Sequence, residues 1–386
     1  MRRFIIFLAV STLLLILINI YLSKRYARLI RNYNSRISER AAVYILFSGL
    51  SLFLSSIFFQ NRIYRSGLFA LPVRYISAFY ICMVIYSFLL FLAGDSLAYL
   101  GGLLNTPRKI SFIFSRIYAI GLLVPVAAAL ITLYAFYNAV NFKVTNYEIS
   151  INKSSSIRSV EAVMISDLHV GTSVGKKEII KIKSMIEELS PQIIFICGDL
   201  FDHESNEEIM KFSAKTLGSI KSEYGTYFVT GNHECYLGNM SKTISYFEGT
   251  GIRVLQDEMI KINDFYLIGR KDIWQEGRAD LEKILDGADK EQPLIVLDHQ
   301  PNAIDEAADN GVDLLLSGHT HNGQLVPFNY IVGLANHTHY GIVEQGTFRA
   351  IVSSGIGTWK FPIRTGSSAE IIRVKINFKE KQGIPK

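Results

Sequence analysis

The stretch Glu161-Ala-Val-Met-Ile-Ser-Asp-Leu-His169 places an apolar run directly before an aspartate and a histidine that stand two residues apart. A short apolar run of this kind is typical of a buried strand. Similar runs precede Gly198-Asp199, Asp298-His299 and Gly318-His319. Polar groups that follow successive strands of an α/β sheet meet at the carboxyl edge of that sheet. The pattern therefore predicts an α/β domain with these acids and imidazoles at one edge.

Histidine is concentrated in these motifs. The chain has 386 residues and only eight histidines, and five of the eight fall in five motifs: Asp167-Leu168-His169, Gly198-Asp199, Gly231-Asn232-His233-Glu234, His299, and Gly318-His319-Thr320-His321. A random scatter of histidines would not coincide with acids and strand ends in this way. The motifs therefore indicate a functional site rather than isolated core or surface imidazoles.

The residue types in the motifs favour divalent metal ions. Aspartate and histidine together suit Mn, Fe or Zn, and the three cysteines form no CxxC pair, which makes a closed structural zinc site improbable. On an extended segment, Asp167 and His169 would point the same way, and a carboxylate such as Asp199 can bridge two ions. Two adjacent ions can clamp a phosphoryl group and generate a hydroxide nucleophile.

Each glycine before a candidate ligand has a predicted reason. Gly198, Gly231 and Gly318 directly precede Asp199, Asn232 and His319. Glycine is the residue expected where the backbone turns sharply or approaches another group closely.

The first 140 residues have a different composition from the rest. Residues 1–150 carry 15 Lys and Arg against 3 Asp and Glu, whereas residues 151–386 carry 25 against 31. Apolar runs at about residues 4–22, 41–59, 75–93 and 117–139 are long enough to cross a bilayer as helices. The first run ends in Ser23-Lys24-Arg25 rather than a small-residue cleavage site, so we expect a retained span rather than a signal peptide.

The basic residues between these runs predict a topology. The loops after the first and third spans carry nine Lys and Arg, against six on the opposite side. Cytoplasmic loops are enriched in these residues, so we expect a multi-pass protein of the inner or plasma membrane with its C-terminal domain on the extracytoplasmic side. The basic half is interleaved with spans and the other half is acidic, so no nucleic-acid binding is expected.

Strand and helix patterns alternate after residue 150. A first strand is predicted at Tyr147–Asn152, and helices at Lys177–Leu189 and 207–220. Val254–Ile262 and Phe265–Gly269 read as a hairpin joined at Asn263-Asp264. Other strands are predicted at Glu161–Ser166, Ile193–Cys197, Tyr227–Thr230, Leu294–Leu297, Leu314–Ser317, Ala350–Ser354 and Glu370–Asn377.

The ordered motifs Asp-x-His, Gly-Asp, Gly-Asn-His-Glu, His and Gly-His-x-His resemble those of the calcineurin-like metallophosphoesterases. Residues 317–324 and 355–358 further resemble the bacterial membrane-anchored subgroup related to YkuE and YaeI. The resemblance implies a four-layer α/β/β/α sandwich after an all-α transmembrane region of about four helices. The implied domains are a transmembrane region at 1–140, a connector with the first strand at 141–158, and the metallophosphoesterase domain at 159–380.

The resemblance also implies roles for single residues. Asp167, His169 and His321 would bind one divalent ion, Asn232, His299 and His319 would bind the other, and Asp199 would bridge them. His233 would contact the substrate, and Glu234 would orient His233. The implied activity is a metal-dependent phosphoesterase, of phosphodiesterase or pyrophosphatase type, in which a metal-bound hydroxide attacks phosphorus in line.

Two alternatives stay open for the function. Attachment to a bilayer would suit a lipid-linked pyrophosphate or a phospholipid as the substrate. A membrane receptor or scaffold that binds without turnover is disfavoured, because none of the seven ligand positions lacks a competent residue. The oligomeric state, the native metal and the substrate are not readable from the sequence.

Residues beside the motifs carry weaker predictions. His203 is expected to be exposed to solvent, and Asp202 to lie in a turn or behind the ligands. Asp298 could support His299 from behind. Tyr236 could bind substrate beside the leaving group.

Three further residues lie later in the chain. Asn322 stands where the resembled subgroup often has glycine, and it could alter the pocket wall. His337 and His339 are expected in an ordinary loop, with lining of the substrate pocket as the alternative.

Overall fold

The computed structural model describes residues 2–33, 39–58, 70–103, 122–171, 173–203, 205–335 and 339–380. His337 and residues 117–121 of the fourth predicted span lie outside the described residues. The chain divides into two compact units, Met1–Ala135 and Phe136–Lys386.

The N-terminal unit is helical. Three helices have segments long and apolar enough to span a membrane among the described residues: Ala9–Leu29, Pro72–Gly101 and Leu123–Val140. The helix between the first two has a shorter apolar stretch, Arg40–Leu54, so the number of four spans stays a prediction. The helices in the described part of this region are α1 (Arg2–Tyr33), α2 (Glu39–Phe58), α3 (Ala70–Leu103) and α4 (Leu123–Val140).

Polar side chains connect α1 to α3. The hydroxyl of Tyr80 donates a hydrogen bond of 2.9 Å to Oδ1 of Asn19. The guanidinium of Arg25 pairs with the carboxylate of Asp95, which also accepts a 2.6 Å hydrogen bond from the hydroxyl of Tyr21. Polar groups within apolar helices are costly unless they find partners, so these pairs set how α1 packs against α3.

The first sheet of the C-terminal unit has six strands in the spatial order β1-β12-β2-β3-β4-β5. Only the pair β12–β2 is antiparallel, and the other neighbours run parallel. The strands are β1 (Lys143–Ser155), β2 (Ser159–Ile165), β3 (Ile193–Cys197), β4 (Thr226–Val229), β5 (Ile252–Val254) and β12 (Glu370–Glu380).

The second sheet has six strands in the order β10-β11-β9-β8-β7-β6. Its inner four strands are parallel and its two outer pairs are antiparallel. The strands are β6 (Glu258–Ile262), β7 (Phe265–Gly269), β8 (Leu294–Leu297), β9 (Leu314–Ser317), β10 (Gly341–Gln345) and β11 (Phe348–Val352).

Helices complete the outer layers of the C-terminal unit. They are α5 (Lys176–Glu188), α6 (Glu207–Gly218), α7 (Asn232–Tyr236), α8 (Met240–Ser245), α9 (Leu281–Ile284), α10 (Ile304–Asp309) and α11 (Phe328–Ala335). Side chains cap the first turns of two of them. At α6, the side chain of Asn206 accepts a hydrogen bond from the backbone N–H of Ile209. At α5, the carboxylate of Glu178 accepts one from the backbone N–H of Gly175.

Three buried clusters of apolar side chains hold the layers together. One lies between the two sheets and includes Met164, Phe195 and Leu316. A second packs α5 and α6 on the first sheet, and the third packs α9 and α10 on the second sheet. Continuous apolar strands such as β3 are covered on both faces, as expected for parallel strands. The predicted four-layer α/β/β/α architecture is confirmed.

Most predicted strands are present with shifted ends, such as β1, which extends beyond Tyr147–Asn152 on both sides, but two strand assignments differ. The predicted strand Val254–Ile262 is wrong as a single element, because β5 belongs to the first sheet and β6 to the second. The chain crosses between the sheets at residues 255–257, where Asp257 has a φ of 54°. The edge strand β10 was not predicted, since its residues alternate only weakly. The hairpin at Asn263-Asp264 is confirmed.

Matched isoleucines test the core between β3 and the helices. Ile196 is fully buried, whereas Ile180 on α5 is 55% exposed. We expect Ile196→Ala to destabilise the C-terminal unit by about 2–5 kcal/mol, since it leaves a cavity, and Ile180→Ala to change little. Thermal unfolding of the full chain in detergent measures both midpoints, and equal midpoints for the two variants would contradict this packing.

Candidate metal centre

The site lies where strands of both sheets end. Asp167 and His169 follow β2, Asp199 follows β3, and Asn232 begins α7 just after β4. His299 follows β8, and His319 and His321 follow β9. The structure brings the side chains of all five motifs to one edge, although they are up to 154 positions apart in the chain.

Five of the seven predicted ligands have a left-handed backbone. The φ angles are 53° for Asp167, 46° for His169, 51° for Asp199, 73° for His319 and 48° for His321. Residues other than glycine adopt this region rarely and at a cost. The expectation of an extended segment at Asp167 and His169 is therefore wrong, and His319 and His321 are turned in the same way. The sharp turn after each strand, rather than the two-residue period of a strand, aims both side chains into the site.

The predicted close approach at the glycines is confirmed. A methyl group on Gly231 would overlap the carboxylate of Asp199, and one on Gly318 would overlap the carboxylate of Asp167. Gly198 also has a positive φ of 81° and lies against the ring of His299. Any side chain at these positions would push a candidate ligand out of place.

One half of the site is formed by Asp167, His169 and His321. Nε2 of His321 lies 3.1 Å from Nε2 of His169 and 3.7 Å from Oδ1 of Asp167. All three residues are buried. The backbone N–H of His319 donates to both oxygens of Asp167 at 3.0 Å, which fixes the orientation of that carboxylate.

The other half is formed by Asn232, His299 and His319. Nε2 of His299 lies 3.1 Å from Oδ1 of Asn232 and 3.2 Å from Nδ1 of His319. Asp199 lies between the halves: its Oδ2 is 3.2 Å from Nε2 of His299 and 3.8 Å from Nε2 of His169. These donor atoms are close enough to hold metal ions in groups of three.

The far ring nitrogens of two histidines support a metal-binding orientation. Nδ1 of His299 lies 2.9 Å from the carbonyl oxygen of Cys197, and Nδ1 of His169 lies 3.3 Å from Oδ2 of Asp202. A histidine that binds a metal through one nitrogen commonly gives its other N–H to a carbonyl or carboxylate. Both rings thus present Nε2 to the centre, and the donor set fits borderline divalent ions.

Asp202 lies behind the candidate ligands, and its contacts there are more extensive than the sequence indicates. Its side chain is buried, and its Oδ2 lies 3.3 Å from Nδ1 of His169 and 3.5 Å from Nδ1 of His233. Its Oδ1 lies 2.6 Å from Nδ1 of His203. One carboxylate therefore faces three imidazoles. The signal in the sequence was its position three residues after Asp199, within the loop that follows β3.

His203 is less exposed than predicted. Its side chain keeps 29% of its accessible surface, and its ring centroid lies 5.8 Å from that of His233. Contact with Asp202 draws the ring from solvent toward the site.

Glu234 contacts backbone rather than the ring of His233. Its carboxylate accepts hydrogen bonds from the backbone N–H groups of Asp199 (3.0 Å), Phe201 (2.8 Å) and Gly231 (2.7 Å). It therefore joins the loop after β3 to the start of α7. Burial and the charge of Asp199 raise the pKa of Glu234 to about 7.

The protein groups set the charge of the imidazoles unequally. Burial alone would lower the pKa of His233, but Asp202 and Asp199 raise it to about 9. Burial and the neighbouring His299 lower the pKa of His319 to about 4. Burial opposes ionisation of Asp199, yet His299 holds its pKa below the ordinary range. Burial would also lower the pKa of His299, but Asp199 raises it well above the ordinary value.

The remaining predicted residues lie around this cluster. The ring of Tyr236 is half exposed, with its centroid 5.4 Å from that of His233, which permits contact with a substrate. Asp298 pairs with Arg278 at 2.5 Å rather than with His299. The carbonyl of His339 accepts from the hydroxyl of Thr320, and Asn322 has a φ of 48° within the turn after His321.

Comparison with known proteins gives consistent matches. The calcineurin-like phosphoesterase family model matches residues 162–323. The protein named transmembrane protein with metallophosphoesterase domain is 32% identical in Danio rerio, over 75% of this chain and 70% of that protein. Its counterpart in Bos taurus is 34% identical, over 60% of this chain and 56% of that protein. An uncharacterized metallophosphoesterase of Campylobacter jejuni is 25% identical, over 98% of this chain and 100% of that protein.

The matched region contains every motif of the metal centre, from Asp167 to His321. The family and the relatives' names support a hydrolase that acts on phosphoric ester bonds. The transmembrane names of two relatives agree with the apolar helices of the N-terminal unit. The chain belongs to the calcineurin-like metallophosphoesterase family.

Proposed function

We propose that the protein is a membrane-anchored phosphoesterase with a dinuclear metal centre. The observation that carries the proposal is the buried cluster in which Asp199 lies between two groups of imidazole, amide and carboxylate donors. Asp167, His169 and His321 would hold one divalent ion, and Asn232, His299 and His319 the other. Asp199 would contact both. When bound, two such ions supply positive charge for the phosphoryl oxygens and lower the pKa of water.

His233 is suited to contact the substrate. Its Nδ1 faces Asp202. The centroid of its ring lies 4.5 Å from the ring centroid of His169. This arrangement leaves Nε2 of His233 for a phosphoryl oxygen or for the leaving group. A proton held on the ring would neutralise charge that develops on either group.

Asp202 and Glu234 are proposed to position different parts of the site. Asp202 would orient the rings of His169 and His233 through their Nδ1 atoms. Glu234 would hold the backbone of Asp199 and Gly231, and through it the directions of Asp199 and Asn232. Glu234 therefore acts on His233 only indirectly, through the first turn of α7.

The membrane location supports a finer proposal. The bias of Lys and Arg in the loops favours a multi-pass protein with the catalytic domain on the extracytoplasmic side. Motifs such as residues 317–324 favour the subgroup related to YkuE and YaeI.

The substrate class can be tested directly. A screen of the full chain in detergent, with Mn added, would compare soluble phosphodiesters with phospholipids and lipid-linked pyrophosphates.

Replacing the bridging carboxylate tests the dinuclear centre. We expect Asp199→Asn to abolish most hydrolysis of bis(p-nitrophenyl) phosphate and to reduce bound Mn, because a neutral amide cannot bridge two cations. Activity and metal content of the full chain measure both effects. Asp286→Asn, an exposed aspartate on the same unit, is the control. Unchanged turnover in Asp199→Asn would exclude the proposed role.

A second substitution separates orientation from metal bridging. Because supporting partners of metal ligands typically contribute 10–100-fold, we expect Asp202→Asn to lower kcat by roughly that factor. Metal affinity, measured by calorimetry, should weaken through His169 as well. If kcat and metal affinity both match the unmodified protein, Asp202 does not orient these rings.

Protease access to a C-terminal tag tests the side of the membrane. We expect added protease to remove a tag placed after Lys386 in intact cells, because the C-terminal domain is predicted to lie on the extracytoplasmic side. A cytoplasmic protein that survives the treatment shows that the cells are sealed. Protection of the tag until lysis would place the catalytic domain in the cytoplasm.

A further inference from the structure

An exposed apolar patch lies beside the proposed metal ligands. We define the α11 patch as four residues of α11 together with Trp359. Their exposed fractions are 43% for Phe328, 68% for Tyr330, 54% for Ile331, 88% for Leu334 and 55% for Trp359. Single exposed apolar residues are common, but half of an eight-residue helix facing solvent with apolar side chains is typical of an interaction surface.

The inner side of α11 is held by small and polar residues. The backbone of Gly323, with a φ of 65°, lies against the backbone of Asn329. The ring of His339 lies against Gly333. The helix is thereby anchored on one side, which leaves the larger apolar side chains on the other.

Trp359 is tied to the segment that leads into α11. Its backbone N–H donates to Oε1 of Gln324 at 2.9 Å, and its carbonyl accepts from Nε2 of the same side chain at 3.3 Å. The hydroxyl of Thr365 accepts from the N–H of Val326 at 3.0 Å. Hydrogen bonds therefore join the loop of residues 359–367 to the segment that precedes α11.

The same loop is bonded to the end of the last apolar helix. Nδ2 of Asn138 donates to the carbonyl oxygens of Arg364 (3.1 Å) and Ser367 (2.8 Å). Asn138 stands two residues before the end of α4, about 3 Å along the helix axis. The proposed function has α4 cross the membrane, and the end of such a helix lies near the lipid headgroups. The loop that carries Trp359 is bonded to that end of α4.

We propose that the α11 patch docks on the surface of the bilayer that anchors the protein. Tryptophan and tyrosine are enriched at membrane interfaces, and helices with exposed apolar faces bind there in the plane of the surface. Lys360 follows Trp359, and Lys143, whose Nζ lies 3.3 Å from Oγ of Ser368, follows α4. These cations favour anionic headgroups over an apolar protein partner.

Docking would place the metal centre at the lipid surface. The turn His321–Gly323 carries a proposed ligand and directly contacts α11 through Gly323. This inference rests on the membrane anchoring and metal centre of the proposed function. The substrate class that follows is a phosphoester or pyrophosphate borne by an amphiphile, with its phosphorus at the headgroup level.

The chain has only two tryptophans, which allows a direct test. In Trp274→Phe, Trp359 is the single tryptophan. The full chain is placed in nanodiscs of phosphatidylcholine and phosphatidylglycerol with brominated acyl chains, which quench nearby indole emission. We expect strong quenching, and loss of most of it when Ile331→Glu and Leu334→Glu are added. Ile180→Glu, at an isoleucine 55% exposed on α5, should leave the quenching unchanged.

Iodide in the water phase distinguishes the other occupants. Quenching by iodide but not by brominated lipid would show that the patch is in water, and this result overturns the proposal. Protection from both quenchers shows that another protein segment or a second copy covers the patch, and also overturns it. Hydrolysis of bis(p-nitrophenyl) phosphate in the same nanodiscs reports the metal centre separately, and we expect Ile331→Glu with Leu334→Glu to keep it. Failure of the docking and failure of the catalytic proposal are therefore separate results.

Discussion

Burial of carboxylates among imidazoles is the constraint on which the rest of this structure depends. Asp167 and Asp199 have almost no exposed surface, and removing a carboxylate from water is costly unless cations or hydrogen-bond donors compensate. Here Asp199 lies beside Nε2 of His299, and Asp167 receives the N–H of His319. Divalent ions would supply the remaining compensation. A site of this kind is stable only where the backbone holds the donors in place before an ion arrives.

The backbone provides this by storing strain at strand ends. Positive φ angles at Asp167, His169 and Asp199 turn the chain sharply where β2 and β3 finish. The sheet on either side fixes these turns, because β2 and β3 pair in parallel and are buried on both faces. Two sheets packed face to face then bring the ends of β2, β3, β4, β8 and β9 together. Burial of the packed layers thus offsets the conformational free energy of the strained loops.

Within the C-terminal unit, one loop joins the last turn of α4 to the residues behind the metal centre. Asn138 at the end of α4 binds the carbonyls of residues 364 and 367, and the buried guanidinium of Arg364 donates to the carbonyl of Ser354 at 2.9 Å. Arg364 also binds the carbonyl of Gly357, next to the chain that crosses Asp167 and Leu168. Asn138 is therefore joined to the backbone of Asp167 and Leu168 through the loop of Arg364 and through Gly357.

The sequence by itself determined the donor set, the α/β class and the apolar N-terminal helices. Apolar runs that end in Asp and His are a local pattern, and local patterns report strands and candidate ligands directly. Only the tertiary structure decided that Asp202 faces three imidazoles, that Glu234 binds backbone amides, and that β5 and β6 belong to different sheets. The reason is physical: these outcomes depend on left-handed turns and on contacts between distant strands, and neither leaves a periodic signal in the chain.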